Sequence, residues 1–173
     1  MKFFLWTMTS KINIKQIFTD HFKTLKDEST GRTSKLDLLF FFVIPIIPAY
    51  FLVHYNYFVT IDKLNVIIST NSIFIGLLFN LLALLYSLYQ SPKNQTKFKK
   101  ELTKEMLANI SFEIVILIFS IVFAIFSIID SLFLSSLFSL ITYYLSITCF
   151  FTLFMILKRM YQFISHDIEN TSV

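Results

Sequence analysis

The sequence predicts an all-α polytopic membrane protein, a four-transmembrane-helix bundle preceded by a cytoplasmic N-terminal amphipathic helix. Three observations carry that class. Of 173 residues, 55% are apolar and 15% charged, whereas soluble domains are about 25% charged. Four apolar runs match or exceed the ~20 residues a helix needs to cross the hydrocarbon core. Lys and Arg are sorted between the connecting segments in the way that sets orientation in a bilayer. With 22 Phe but only two Gly and three Pro, disorder, collagen-like repeats and turn-rich β folds fit poorly.

Residues 1–35 read as a cytoplasmic segment. The apolar stretch in MKFFLW is too short for a signal peptide and is followed by polar sequence of mixed charge, so no cleavage is expected. Between Ile12 and Ser29, the residues Ile14, Ile17, Phe18, Phe22 and Leu25 recur at helical spacing, interleaved with Lys15, Lys23 and Lys26. That pattern is an amphipathic helix. It suits the inner-leaflet interface, where anionic lipid favours each Lys by roughly 1 kcal/mol. Packing on the bundle's own cytoplasmic end and docking of a partner protein are the alternatives.

The transmembrane domain covers 36–157, with spans at about 36–59, 66–89, 110–129 and 132–157. Ser34 and Asp37 have capping-box spacing ahead of the first span, and Ser91-Pro92 closes the second. Pro45 and Pro48 in IPIIP interrupt the first span near its inner half, so a kink is expected there. Tyr50, Tyr55 and Tyr57 form one interfacial belt, and Tyr86 and Tyr89 form another at the opposite leaflet. Tyr143 and Tyr144 lie deeper and need partners for their hydroxyls. In the basic loop 90–109, Phe98, Leu102 and Met106 recur at i, i+4 and i+8, so the third span begins as a cytoplasmic helix before it enters lipid. Asp130 and Ser131 alone join the last two spans, which makes a tight hairpin. Residues 158–173 form a cytoplasmic tail.

Fourteen of the fifteen cationic residues fall in residues 1–35, the 90–109 loop and the tail, and only Lys63 lies on the other side. Both termini are therefore expected in the cytoplasm. The outer connections, Thr60–Asn65 and Asp130–Ser131, are too short for an extracellular domain.

Polar and small residues inside a membrane mark contact faces. Ser72, Gly76, Asn80, Ala83 and Ser87 form a stripe on the second span. Ser135, Ser139, Thr142, Ser146 and Cys149 form a heptad seam on the fourth, and Glu113, Ser120, Ala124 and Ser127 share a face of the third. Ser72, Gly76, Asn80, Ala83, Ser135, Ser139, Thr142 and Ser146 are thus the expected packing or oligomer interface, within one chain or between copies. Asn80 and Glu113 are the candidate pore or relay residues. Their structural readings are an interhelical hydrogen bond for Asn80 and a Lys pair or helix cap for Glu113. Lys15, Lys23, Lys26, Lys97, Lys99 and Lys100 are the expected lipid or cytoplasmic-partner contacts. Nucleic acid is not expected, because no aromatic platform is interleaved with the basic residues.

No Walker A loop, G-x-G-x-x-G, G-x-S-x-G, H-E-x-x-H or C-x-x-C is present. A single Cys149 and three dispersed His residues give neither a disulfide framework nor a metal set. No cofactor and no enzymatic activity are expected. Arg159 and His166 in RMYQFISH resemble the R-x6-H pair of HEPN ribonucleases, although Arg159 also reads simply as a stop-transfer cation.

Taken whole, with segments such as RTSKLDLLFFFVIPIIP and SIFIGLLFNLLALLY, the chain resembles the small four-span inner-membrane components of bacterial antiphage systems. Examples are the membrane subunit of Kiwa and the accessory membrane proteins of type VI-B CRISPR loci. The resemblance implies a homo-oligomer of the bacterial inner membrane that senses or perturbs that membrane, with a cytoplasmic partner. The vocabulary rich in Phe, Ile, Lys and Asn is consistent with an AT-rich bacterial or mobile-element source. The alternative is a small ion channel or transporter subunit with Asn80 and Glu113 lining the path.

Overall fold

The computed structural model describes residues 14–25, 38–90 and 97–171, and these contain helices and turns but no strand. The helices are α1 (Ile14–Thr24), α2 (Ile46–His54), α3 (Ile61–Gln90), α4 (Lys97–Phe126) and α5 (Leu132–Thr171), with a π-helical turn at Leu39–Val43 ahead of α2. Three stretches, Ile61–Ser87, Lys97–Phe126 and Leu132–Ser165, are long and apolar enough to cross a membrane. The capping pair Ser34 and Asp37, the Ser91-Pro92 stop and Lys26 lie outside the described residues.

The expected first span, 36–59, does not appear as one long helix. Its helical part, Leu39–His54, has sixteen residues, or about 24 Å of rise against a hydrocarbon core of about 30 Å. The prolines break it. Pro45 and Pro48 have no N–H to donate, and each ring clashes with the carbonyl four residues back. The ladder before them is already widened, because Ile44 N–H donates to Leu39 C=O at 3.0 Å. Between them it tightens, with Ile47 N–H donating to Ile44 C=O at 3.2 Å. The helix then ends on Asn56, whose φ of 59° is left-handed. Asn56 N–H donates to Val53 C=O and Tyr57 N–H to Leu52 C=O, both at 2.9 Å, which is the Schellman closure.

α4 is the centre of the packing. It lies against α5, α3 and α1, whereas α2 and the π turn pack on α5. Among the described residues the helices therefore lie in a row in the order α3, α4, α5, α2, with the short α2 at its end and α1 laid on α4; three of them are long enough to cross a membrane. Apolar residues all round α4 suit its central place. Met106, Ile110, Phe112 and Leu117 meet Leu78 and Leu85 of α3 on one side and Leu145, Cys149 and Ile156 of α5 on the other. Half of the most apolar window of α4 is buried (50%), against 11% for α3. That contrast leaves most of α3 uncovered within one chain.

Candidate functional site

Where α1 crosses α4 and α5, the structure assembles a buried polar cluster. Leu25, His21 and Thr24 bury one side of α1, and His21 is 1% exposed. Its ring stacks on Phe112 at 3.7 Å with 3° between planes. Its Nδ1–H donates to Asn109 Oδ1 at 2.9 Å. The Thr24 hydroxyl lies 2.8 Å from the same Oδ1 and 2.7 Å from the His21 carbonyl, so its one proton is shared between them. Arg159 of α5 completes the junction, donating to Thr24 C=O at 2.9 Å and ion-pairing with Glu105 of α4. Burial holds the His21 imidazole down to about pKa 4, against a partial upward pull from Asn109 and with a further downward push from Arg159.

One turn beyond Asn109, Glu113 is 0% exposed. The Cys149 thiol and the Thr152 hydroxyl face it from α5. Neither carboxyl oxygen makes a hydrogen bond among the described residues, and Asn109 Nδ2 and Thr148 Oγ1 are likewise unpartnered. Thr152 donates instead to Thr148 C=O at 3.1 Å. Glu113 is thus neither a Lys partner nor a helix cap, because the α4–α5 contact encloses it away from every described cation.

The seam expected on the last span packs inside the chain. Ser139 and Thr142 are fully buried, and Ser139 Oγ accepts from Val59 N–H at 3.0 Å. Thr142 donates to Phe138 C=O, Ser146 donates to Thr142 C=O, and Ser146 meets Ser120 of α4 at 3.3 Å. Ser135 is half-buried. The second-span stripe does the opposite. Ser72, Gly76, Asn80, Ala83 and Ser87 are all exposed, and a Cβ on Gly76 would meet nothing within 4 Å. α3 instead buries Asn71, Leu78 and Leu85, spaced by sevens. Asn80 points outward while Glu113 is enclosed, so the structure does not bring that pair onto one surface of a single chain.

Among the expected lipid or partner cations, Lys15, Lys23, Lys97 and Lys100 are exposed, with Lys23 bonded to Asp20 at 2.7 Å. Lys99 differs from the other four in being only 9% exposed. Of the α4 entry triad, Leu102 and Met106 are buried while Phe98 is exposed. Arg159 is occupied by Glu105 and Thr24, and the side chain of His166 lies outside the described residues. No group of three His, Cys, Asp or Glu residues is placed to hold a metal among the described residues.

Sequence reasoning passed over His21, Thr24 and Asn109, although a signal was present. His21 is seven residues after Ile14, four after Ile17 and three after Phe18, so it occupies the apolar stripe of its own helix. Asn109 precedes Glu113 by four and follows Met106 by three, on the stripe that α4 buries.

No protein-family model, curated protein or solved structure matches the chain. What the fold defines is an all-helical protein with three helices able to span a membrane.

Proposed function

We propose that the chain is a non-enzymatic, homo-oligomeric protein of the bacterial inner membrane. In this reading it acts as an effector, sensor or anchor in antiphage defence, perturbing the membrane or docking a cytoplasmic partner. The defence role rests on the architectural resemblance. Self-association rests on one observation: α3 presents Ser72, Gly76, Asn80 and Ala83 outward with open space at Gly76. A carboxamide facing hydrocarbon is costly, and small residues let two backbones approach closely.

Four crossings with both termini in the cytoplasm remain the topology we propose. The broken helix up to His54 supplies about 24 Å, and the four residues Tyr57–Thr60, which belong to no helix, could span up to about 3.3 Å each if extended, enough to complete a crossing. Irregular backbone is tolerated at such depth where protein covers it. Val59 is buried and its N–H is bonded to Ser139, which supports this path.

Gly76→Leu and Asn80→Leu should shift the purified protein towards monomer by light scattering in detergent. The inward face of α3 is untouched by either change. An unchanged mass in both variants would reject the interface. Membrane potential and dye entry, recorded with and without phage infection, test the effector role; depolarisation on infection is expected, and an intact membrane in both conditions would move the role to anchoring.

The enclosed, unpartnered Glu113 favours a second reading, a small channel or transporter subunit. There Glu113→Gln abolishes flux with assembly unchanged, and a mutant that conducts normally rejects it.

A further inference from the structure

Between α3 and α4 runs a cleft of about 330 Å³, lined by Leu82, Leu85, Tyr86, Tyr89 and Leu107 together with Thr103 and Lys104. Its volume lies at the lower end of the range for small-molecule sites, and its chemistry is that of an amphiphile: an apolar wall that carries a cation. The Thr103 hydroxyl already gives its proton to Lys99 C=O at 2.8 Å, so the charged donor of the lining is the Lys104 ammonium. Lys97, Lys100 and Lys104 are spaced by three and four, which places them on one face of α4. All three are exposed, and none makes an ion pair among the described residues. Glu101 is the one carboxylate in that row and Glu105 beside it is occupied by Arg159, while Lys104 is the one charged residue that lines the cleft itself, so the cleft carries a positive charge.

We propose that this cleft binds one anionic phospholipid, an acyl chain lying against Leu82, Leu85 and Leu107 and the phosphate held by Lys104. The proposal rests on the membrane reading above and deepens it by naming a ligand. Basic pockets between transmembrane helices on the cytoplasmic side suit anionic headgroups. Tyr86 is of the type that settles at the headgroup level, which puts the cleft where lipid is the abundant amphiphile. The charged lining selects a net-negative lipid over a zwitterionic one, whose own ammonium meets the Lys row.

Native mass spectrometry of the full chain from neutral detergent tests this, with phosphatidylglycerol, phosphatidylcholine and inorganic phosphate as the added probes. Phosphatidylglycerol adducts should be favoured over phosphatidylcholine by about fivefold, the effect of one near-surface Lys. Lys104→Ala should remove that preference and Lys104→Arg restore it. Leu107→Trp, at an exposed position that fills the cleft, should reduce retention of both lipids while leaving helix content by circular dichroism unchanged. Wild-type adduct patterns in Lys104→Ala and Leu107→Trp overturn the site. Inorganic phosphate that displaces phosphatidylglycerol at equal concentration assigns the cation to a soluble anion and overturns the lipid. Release of the protein from membranes by alkaline carbonate overturns the membrane reading itself, whereas retention in the pellet without lipid preference overturns the lipid site alone.

Discussion

His21 illustrates how one side chain ties the short α1 to the long apolar helices. Its neutral ring is stacked on Phe112 and donates to Asn109, and protonation inside that packing is disfavoured. An undocked His21 has the ordinary value of 6.5, while the docked one is held at about 4. Between those values the undocked state takes up a proton that the docked state refuses, so docking weakens as pH falls through that window and is complete above it. Hydrogen exchange of the α1 amides at pH 7.5 and pH 5, each divided by its intrinsic rate at that pH, checks the sign; smaller α1 protection factors are expected at the lower pH, and equal protection factors would contradict it. Asn109→Ala leaves the His21 donor buried and unpaired, which costs on the order of 1–3 kcal/mol. Its midpoint of thermal unfolding in detergent should fall accordingly. Asn56→Gly should be close to neutral because Asn56 sits at φ 59°, whereas Asn56→Ala meets the left-handed penalty of about 1–2 kcal/mol.

At the scale of elements, the segment from Leu39 to Thr60 and the docked α1 are the parts that depend most on their neighbours. Residues 57–60 belong to no helix, so the buried Val59 N–H relies on Ser139. Ser139→Ala should accelerate exchange of the Val59 amide selectively and lower stability by about 1–3 kcal/mol. α1 is held at its end by Arg159, which reaches both Thr24 and Glu105. Arg159→Ala should therefore strip protection from α1 while leaving α3 unchanged, and a uniform loss across all helices would argue against so local a role. The IPIIP interruption was legible in the sequence because proline chemistry is local. The end at Asn56 was not, because Asn adopts the left-handed turn only where the following chain is held in place.

For the molecule as a whole, the consequence of the row arrangement is an uncovered α3. α4 carries contacts on several sides and α3 chiefly on one, so the outward stripe from Ser72 to Ala83 finds no partner among the described residues. Lipid is as apolar as Leu, so no hydrophobic drive closes such a row into a bundle. On the proposed self-association, packing of small residues and interhelical hydrogen bonds do so between copies. On the proposed assembly, Gly76→Leu and Asn80→Leu lie at one contact, so their effects on the free energy of association should be non-additive, and simple additivity in a double-mutant cycle of dimer fraction would place them at separate contacts.

Composition and apolar run length by themselves determined the all-helical class and the three long helices, because the length of an apolar run and its lack of charge are properties of the chain alone. The 4-3-4-3 seam of the last helix was equally readable, since its period matches the partner it meets. Which small-residue stripe turned inward was decided only by the tertiary structure. The stripes on α3 and α5 have similar spacing, yet α5 buries its own against α4 and the 57–60 segment while α3 buries Asn71, Leu78 and Leu85 instead. Spacing defines a face but not its neighbour. The neighbour is set by how the faces of α4 are divided among α1, α3 and α5, and that competition brought His21 and Asn109, 88 residues apart in the chain, to one buried junction.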